Sequence, residues 1–197
     1  RDLHTAYRRQ RQMCIRDRDI AYTYIRKKDN MYSNYTYDNM KIFIDKYGKD
    51  IVGSIKGTGL FFTAVAAQKS YESDYGKSEL SAKYNNFGGV KNFGGLSGAG
   101  VVNLDTAEKI NGKRVIKKQP FATYPNPKSA FESYVRILKD PTKKYTSNGV
   151  FTAIDPLDQI KRMVQAGYST ENINTYLNAV RGRIEAARDY SKLGKIA

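Results

Sequence analysis

Carboxylates and tyrosines are the side chains in this sequence that could carry proton chemistry, and carboxylates lead. Glu72 closes a mostly apolar stretch, and a second acid, Glu108, stands three residues before an Asn111-Gly112 pair, with Asp105 as its neighbour. Two carboxyl groups facing one cleft are what glycoside hydrolysis typically uses. One gives a proton to the departing sugar oxygen, and the other activates water or stabilises charge. The donor must be kept protonated by its surroundings. Glu72 meets that demand on pattern. It follows apolar residues, Tyr71 and Tyr75 flank it, and the end of a helix disfavours a negative charge by about 0.3–1 kcal/mol. Position alone also fits a surface glutamate at a helix end, and Glu108 alone fits a solvated strand residue among lysines.

Other chemistries lack their residues. The chain has one histidine, His4, and one cysteine, Cys14. A structural zinc site takes about four such ligands, and Ser–His or Cys–His nucleophiles need a histidine in place. The glycine-rich stretch 84–100 lacks the GxxxxGK[ST] spacing of a phosphate loop and reads as tightly turned backbone.

The elements that must position these acids follow from periodicity. Met40, Phe43, Ile44 and Tyr47 predict a helix over about 37–47, stopped by Gly48, with Gly53, Gly57 and Gly59 breaking the next stretch. Residues 60–73 predict a buried helix, closed by Gly76. Asn111-Gly112 is a favoured two-residue hairpin turn, so Val101–Ile110 and Lys113–Tyr124 predict an exposed hairpin. Asn126-Pro127 and Asp155-Pro156 each pair an N-cap with proline at the first helical position. Pro141 ends the first of these helices, and Gly167 ends the second. A last helix starts near Thr170. No internal repeat and no low-complexity linker are expected. The fold class is α+β, mainly α, with one exposed β-hairpin.

Length and charge bound the rest. The 197 residues suit one domain that needs no disulfide, and no apolar run reaches the length of a membrane span. Residues 1–17 are Arg-rich and aperiodic, and 12–17 read as the translation of a transposase sequencing adapter. They are expected to be an adapter-derived tail or a disordered arm, with the native N-terminus missing and 18–197 forming one catalytic domain. The net charge is +15, from 34 basic and 19 acidic residues. Such a surface attracts polyanions: nucleic acid, anionic lipid or bacterial wall polymers.

Residues 65–91, VAAQKSYESDYGKSELSAKYNNFGGVK, closely resemble the signature of glycoside hydrolase family 73, the bacterial glucosaminidases. The matching positions are Ala67-Gln68, Glu72-Ser73, Gly76, Ser78 and Asn85-Asn86-Phe87-Gly88, with Lys91 after them. Further on, Thr106-x-Glu108 with Asn111-Gly112-Lys113 resembles the family's hairpin. Pro120 to Tyr124 is similar to its Phe-Arg-x-Tyr segment, with Ala122 in place of the arginine. Ser129-x-Phe131-x-x-Tyr134 keeps register, and Ala166-Gly167-Tyr168-Ser169-Thr170 resembles an Ala-Gly-Tyr-Ala-Thr motif.

The resemblance implies a lysozyme-like fold with the hairpin lobe over the cleft. It implies cleavage of the β-1,4 bond after N-acetylglucosamine in peptidoglycan, without cofactor or metal. Glu72 becomes the general acid, Glu108 the second carboxylate and Tyr168 a residue near the reaction centre. Gln68, Ser73, Asn86, Phe87 and Tyr124 are expected to shape the sugar cleft. The partners are then glycan strands and anionic wall polymers, with no nucleic acid. The expected state is a monomer acting at an extracellular or periplasmic wall, as an autolysin or as a phage lysin on the host wall. Inversion and substrate-assisted attack both stay open. So do muramidase or transglycosylase specificity on the same fold, and a non-catalytic wall- or nucleic-acid-binding module.

Overall fold

The computed structural model describes residues 32–110 and 113–191. Residues 1–17, expected to stand apart, lie outside the described residues, as do His4, Cys14 and the Asn111-Gly112 turn.

Helix α1 spans Asn34–Ile55, capped by Ser33, whose hydroxyl accepts from the Thr36 N–H at 3.1 Å. Its buried face runs Met40, Phe43, Ile44, Tyr47, Ile51 and Ile55, the three-and-four spacing of an amphipathic helix. The expected stop at Gly48 does not occur, and the helix runs through Gly48 and Gly53. A Cβ at Gly48 would sit 3.2 Å from Ile44 and 3.8 Å from Phe62, so this glycine is where the next helix approaches. Packing there outweighs the roughly 1 kcal/mol that a glycine costs inside a helix.

Helix α2, Phe62–Glu72, is central. Seven consecutive residues, Ala64 to Ser70, are buried, because α1 and two later helices surround it. Its start is tied by the Phe61 N–H, which donates to Gln159 Oε1 at 2.7 Å. Its end is abrupt. Asp74, Tyr75 and Gly76 all adopt left-handed backbone, at φ 47°, 56° and 78°. Two of the three are not glycine, so the turn stores strain that its surroundings must hold. Ser73 holds it, donating to the Lys69 carbonyl at 2.6 Å and accepting from the Gly76 N–H at 2.9 Å.

A short helix α3, Glu79–Tyr84, follows its Ser78 cap. Its six residues are too few to show a helical period in the sequence. Strands β1, Gly100–Ile110, and β2, Lys113–Thr123, pair antiparallel from Gly100↔Thr123 to Ile110↔Lys113. This is the expected hairpin to within a residue. Helix α4, Pro127–Lys139, starts at the Asn126 cap and stops before Pro141. Helix α5, Pro156–Gln165, starts at the Asp155 cap, with Gly167 left-handed just past its end. Helix α6 spans Ile173–Ser191, starting later than expected because Asn172 Oδ1 accepts from the Asn174 and Thr175 N–H groups.

Among the described residues the core has two parts. One joins α1, α4 and the hairpin base around Met40, Phe43, Phe87 and Phe131. The other joins α2, α5 and α6 around Ala64, Ile160, Tyr176 and Val180. The last turn of α2 reaches the surface with Glu72. Among the described residues no helix is long and apolar enough to cross a membrane.

The expectation of no internal repeat needs correction. Residues 86–91 read NFGGVK and 92–97 read NFGGLS, a six-residue unit in tandem. It is too short to form a domain repeat, which is the scale at which repeats are usually sought.

Candidate active site

Glu72 lines a cleft of about 280 Å³, together with residues of α3, of the loop after it and of the hairpin. Asn86, Gly89, Leu104, Asp105 and Phe121 are among its lining residues. The Glu72 side chain is 15% exposed, enough to be reached from the cleft.

Three donors converge on the carboxylate. Lys69 Nζ donates to Oε2 at 3.0 Å, Tyr168 Oη donates to Oε2 at 3.1 Å and Tyr176 Oη donates to Oε1 at 2.7 Å. Lys69 also donates to Tyr168 Oη at 2.5 Å, and its ammonium lies 4.3 Å from the centre of the Tyr134 ring. The ring face is electron-rich and stabilises a buried cation. The Lys69 side chain is only 3% exposed, so this ion pair is largely withdrawn from water.

The expected apolar cover from Tyr71 and Tyr75 is therefore replaced by a polar one from other residues. Tyr71 turns to Glu171, donating at 3.3 Å, and Tyr75 packs on Arg183. The reason lies in the turn after Glu72, which carries Tyr75 into the core. Tyr168 reaches Glu72 from the loop after α5, and Tyr176 reaches it from the first turns of α6.

The tyrosines around the site keep their protons. Burial pushes the Tyr168 and Tyr134 hydroxyls well above the ordinary phenol value, and the charge of Glu72 adds to it. Tyr176 is raised by the same two causes in the same order. Tyr145, nearby, is raised by burial and then by Glu72. These groups act as hydrogen-bond donors and not as bases. A phenol can also turn to accept, so Tyr168 and Tyr176 can serve Glu72 in either protonation state. Lys69 has no acceptor and cannot.

The residues expected to shape the sugar cleft are buried, and of them only Asn86 is among those that line it. Gln68 is fully buried and accepts from Tyr134 Oη at 2.7 Å, which holds the ring under Lys69. Ser73 is fully buried and pins the turn. Phe87 is a core residue, with ring centres 4.7 Å from Tyr47 and 5.0 Å from Phe131. Tyr124 is buried, and its hydroxyl donates to Ser133 at 3.2 Å. Asn86 lines the cleft yet is 1% exposed. Its amide donates to the Val90 and Ala122 carbonyls at 2.9 Å each, tying the glycine loop to β2.

That loop presses against the carboxylate. A Cβ at Gly88 would lie 2.7 Å from Lys69 Nζ and 2.9 Å from Glu72 Oε2, so only glycine leaves room there. Glu108 sits on β1 opposite Val115, and its side chain lies outside the described residues. Asp105, three residues earlier and opposite Lys118, does line the cleft.

Sequence reasoning missed Lys69, Tyr176 and Gly88. Lys69 had a readable signal: it is the one charged residue between Leu60 and Tyr71, three before Glu72, and so on the same helix face. Tyr176, 104 positions away, had none.

Solved structures share this architecture. The catalytic domain of the autolysin Auto from Listeria monocytogenes superposes with a TM-score of 0.64 at 21% identity, covering 87% of this chain and 96% of that one. A truncated glycoside hydrolase domain of FlgJ from Salmonella typhimurium gives 0.59 at 23%, covering 76% and 97%. The helical body with its hairpin-walled cleft is thus the lysozyme-like fold of glycoside hydrolase domains. Residues 48–189 match the glucosaminidase family, described as mannosyl-glycoprotein endo-beta-N-acetylglucosaminidase, and the chain belongs to that family. Among curated relatives, an autolysin of Enterococcus faecalis is 38% identical over 82 residues, 41% of this chain. A probable N-acetylmuramidase of Lactococcus lactis is 33% identical over 103 residues, 52% of this chain. The matched parts span 11% and 23% of those relatives' own lengths.

Proposed function

We propose that this domain hydrolyses the β-1,4 bond after N-acetylglucosamine in bacterial peptidoglycan, with Glu72 as the proton donor. One observation carries the reading. In a chain of the glucosaminidase family, the glutamate of the motif that resembles the family signature lines an open cleft between α3 and the hairpin. Once Glu72 holds a proton, one phenol reverses to accept, and the carboxyl delivers the proton to the bridging oxygen of the glycan. Tyr168 and Tyr176 then donate again to the new carboxylate, stabilising it as the sugar leaves.

A second carboxyl group has two candidates. Glu108 is favoured by the family hairpin motif. Asp105 is favoured by its place in the same cleft as Glu72. Comparing Glu108→Gln with Asp105→Asn assigns the role, since the true partner loses far more turnover. If both variants keep full rate, attack by the substrate's own acetamido group is the mechanism.

The setting follows as part of the same proposal: a monomer working at the bacterial wall, its basic surface drawn to anionic wall polymers. A muramidase specificity is the second reading, favoured by the name of the Lactococcus relatives. Digestion of purified sacculi with mass analysis of the products tests both. Reducing N-acetylglucosamine ends support the proposal. Reducing muramic ends transfer it to the second reading, and anhydro-muramic ends indicate a transglycosylase.

A further inference from the structure

The two copies of the six-residue unit at 86–97 are pinned alike and used differently. Asn86 Oδ1 accepts from the Gly88 and Val90 N–H groups, at 3.4 and 2.9 Å. Asn92 Oδ1 accepts from Gly94 and Leu96, at 2.9 and 3.2 Å. Both asparagines thus bind the second and fourth residues beyond themselves. Each amide nitrogen donates to two carbonyls: Val90 and Ala122 for Asn86, Ala99 and Gly100 for Asn92. Both side chains are buried. The copies differ in which glycine is left-handed, Gly89 in the first and Gly94 in the second.

The first copy builds the active site. Phe87 is 3% exposed in the core, and Gly88 touches Lys69 and Glu72. The second copy turns outward. Phe93 is 78% exposed, and nothing lies within 4 Å of a Cβ built at Gly94 or Gly95. A single exposed apolar residue is ordinary. Phe93 differs in standing on a loop whose backbone is bonded to β2, the strand that carries Phe121 of the cleft wall. The Asn92 N–H donates to the Pro120 carbonyl at 2.9 Å, Lys91 bridges to Phe121, and Phe121 lines the Glu72 cleft. Arg136 donates to the Ser97 carbonyl at 3.2 Å, tying down the far side of the loop. Phe93 therefore stands two positions beyond Lys91, the residue that joins the loop to the cleft wall, with its ring open to solvent.

We infer that Phe93 is an outlying sugar platform. Its ring takes the apolar C–H face of an N-acetylated hexosamine in the same glycan strand whose scissile bond lies over Glu72. The inference rests on the glycan-hydrolase reading. A β-1,4-linked hexosamine presents axial C–H bonds on its faces, and the negative face of an aromatic ring attracts them. Phenylalanine has no polar tip to satisfy, so such a contact loses no hydrogen bond. A contact remote from the reacting bond, made equally in ground and transition states, lowers KM and leaves kcat unchanged.

Phe93→Ala and Phe93→Tyr test this. In a Glu72→Gln background, pelleting with insoluble sacculi should show Phe93→Ala binding about five- to tenfold more weakly and Phe93→Tyr binding normally. In the active enzyme, Phe93→Ala should raise KM on sacculi by the same factor, with kcat and melting temperature unchanged. Short soluble glycan fragments that end within the cleft should be cut as before. Equal binding overturns the inference, as does a loss that tyrosine fails to restore or that comes with a lower melting temperature. The wild-type protein is scored in parallel. If it releases no reducing ends, the hydrolase reading itself fails, and the inference fails with it. Normal cleavage with no effect of Phe93→Ala defeats the platform alone.

Discussion

Replacing Gly88 by alanine adds one methyl group at the centre of the site. The Gly88 backbone is not left-handed, so alanine can adopt it, and the effect comes from space alone. The new Cβ would stand 2.7 Å from Lys69 Nζ, 2.9 Å from Glu72 Oε2 and 3.5 Å from Tyr168 Oη. Ordinary contact begins near 3.4 Å, so the ammonium must retreat by 0.7 Å and the carboxylate by 0.5 Å. Both are ends of side chains and can move, so the fold survives. The arrangement does not, because Lys69, Tyr168 and Glu72 share bonds and shift together. Misplacing a reacting group by about 1 Å costs on the order of 10²-fold in rate. Half to seven tenths of that displacement should cost roughly ten- to twenty-five-fold in kcat/KM, or about 1.4–1.9 kcal/mol of barrier. The assay is release of reducing ends from sacculi, paired with thermal melting. Gly95→Ala is the control, since its backbone is not left-handed and its Cβ would meet nothing within 4 Å. Wild-type kcat/KM in Gly88→Ala would refute the placement of Glu72 as the reacting group. So would an equal loss in Gly95→Ala.

Three further outcomes follow from the same site. Glu72→Gln should keep the fold and lower turnover by about 10²–10⁴, the usual loss of a general acid, and near-normal sacculus digestion would reject the role. Lys69→Met should lower stability by about 1–3 kcal/mol in urea unfolding, because it leaves the carboxylate without its charged donor. Adding Glu72→Gln should recover part of that loss, and strictly additive losses would show that the pair is uncoupled. At high pH, the buried phenols set the direction. Tyr134, Tyr168 and Tyr176 bind their protons more tightly in the folded state, because burial and then Glu72 raise them. The unfolded chain releases those protons above about pH 10. Stability should be full below that value and fall above it, by up to about 1.4 kcal/mol per pH unit for each phenol. A urea midpoint as high at about pH 11 as at about pH 8 would refute it.

What could be read in the sequence was what local forces decide. Asn126-Pro127 and Asp155-Pro156 set helix starts because a cap and a fixed proline act within one turn. The hairpin was legible from its turn residues and flanks. Gly48 was misjudged because its environment is a neighbouring helix, which no local pattern reports. The site was legible only in part. Glu72 and Tyr168 were found through the family motifs, and they do meet. Tyr176 joins them from a helix 104 positions away. Gln68, Ser73, Phe87 and Tyr124 are buried and do not line the cleft, and motif residues that organise a site cannot be told by spacing from those that touch a sugar.

Helix α2 is fastened at both ends, by Gln159 at Phe61 and by the left-handed turn that Ser73 pins. Its eleven residues therefore act as a ruler. One residue inserted or deleted between those anchors would swing the carboxylate about 100° around the helix axis, away from both phenols. The same change made in the exposed glycines after Asn92 would leave that register untouched. Length variation in this fold is thus constrained in front of Glu72 and open a short way behind it.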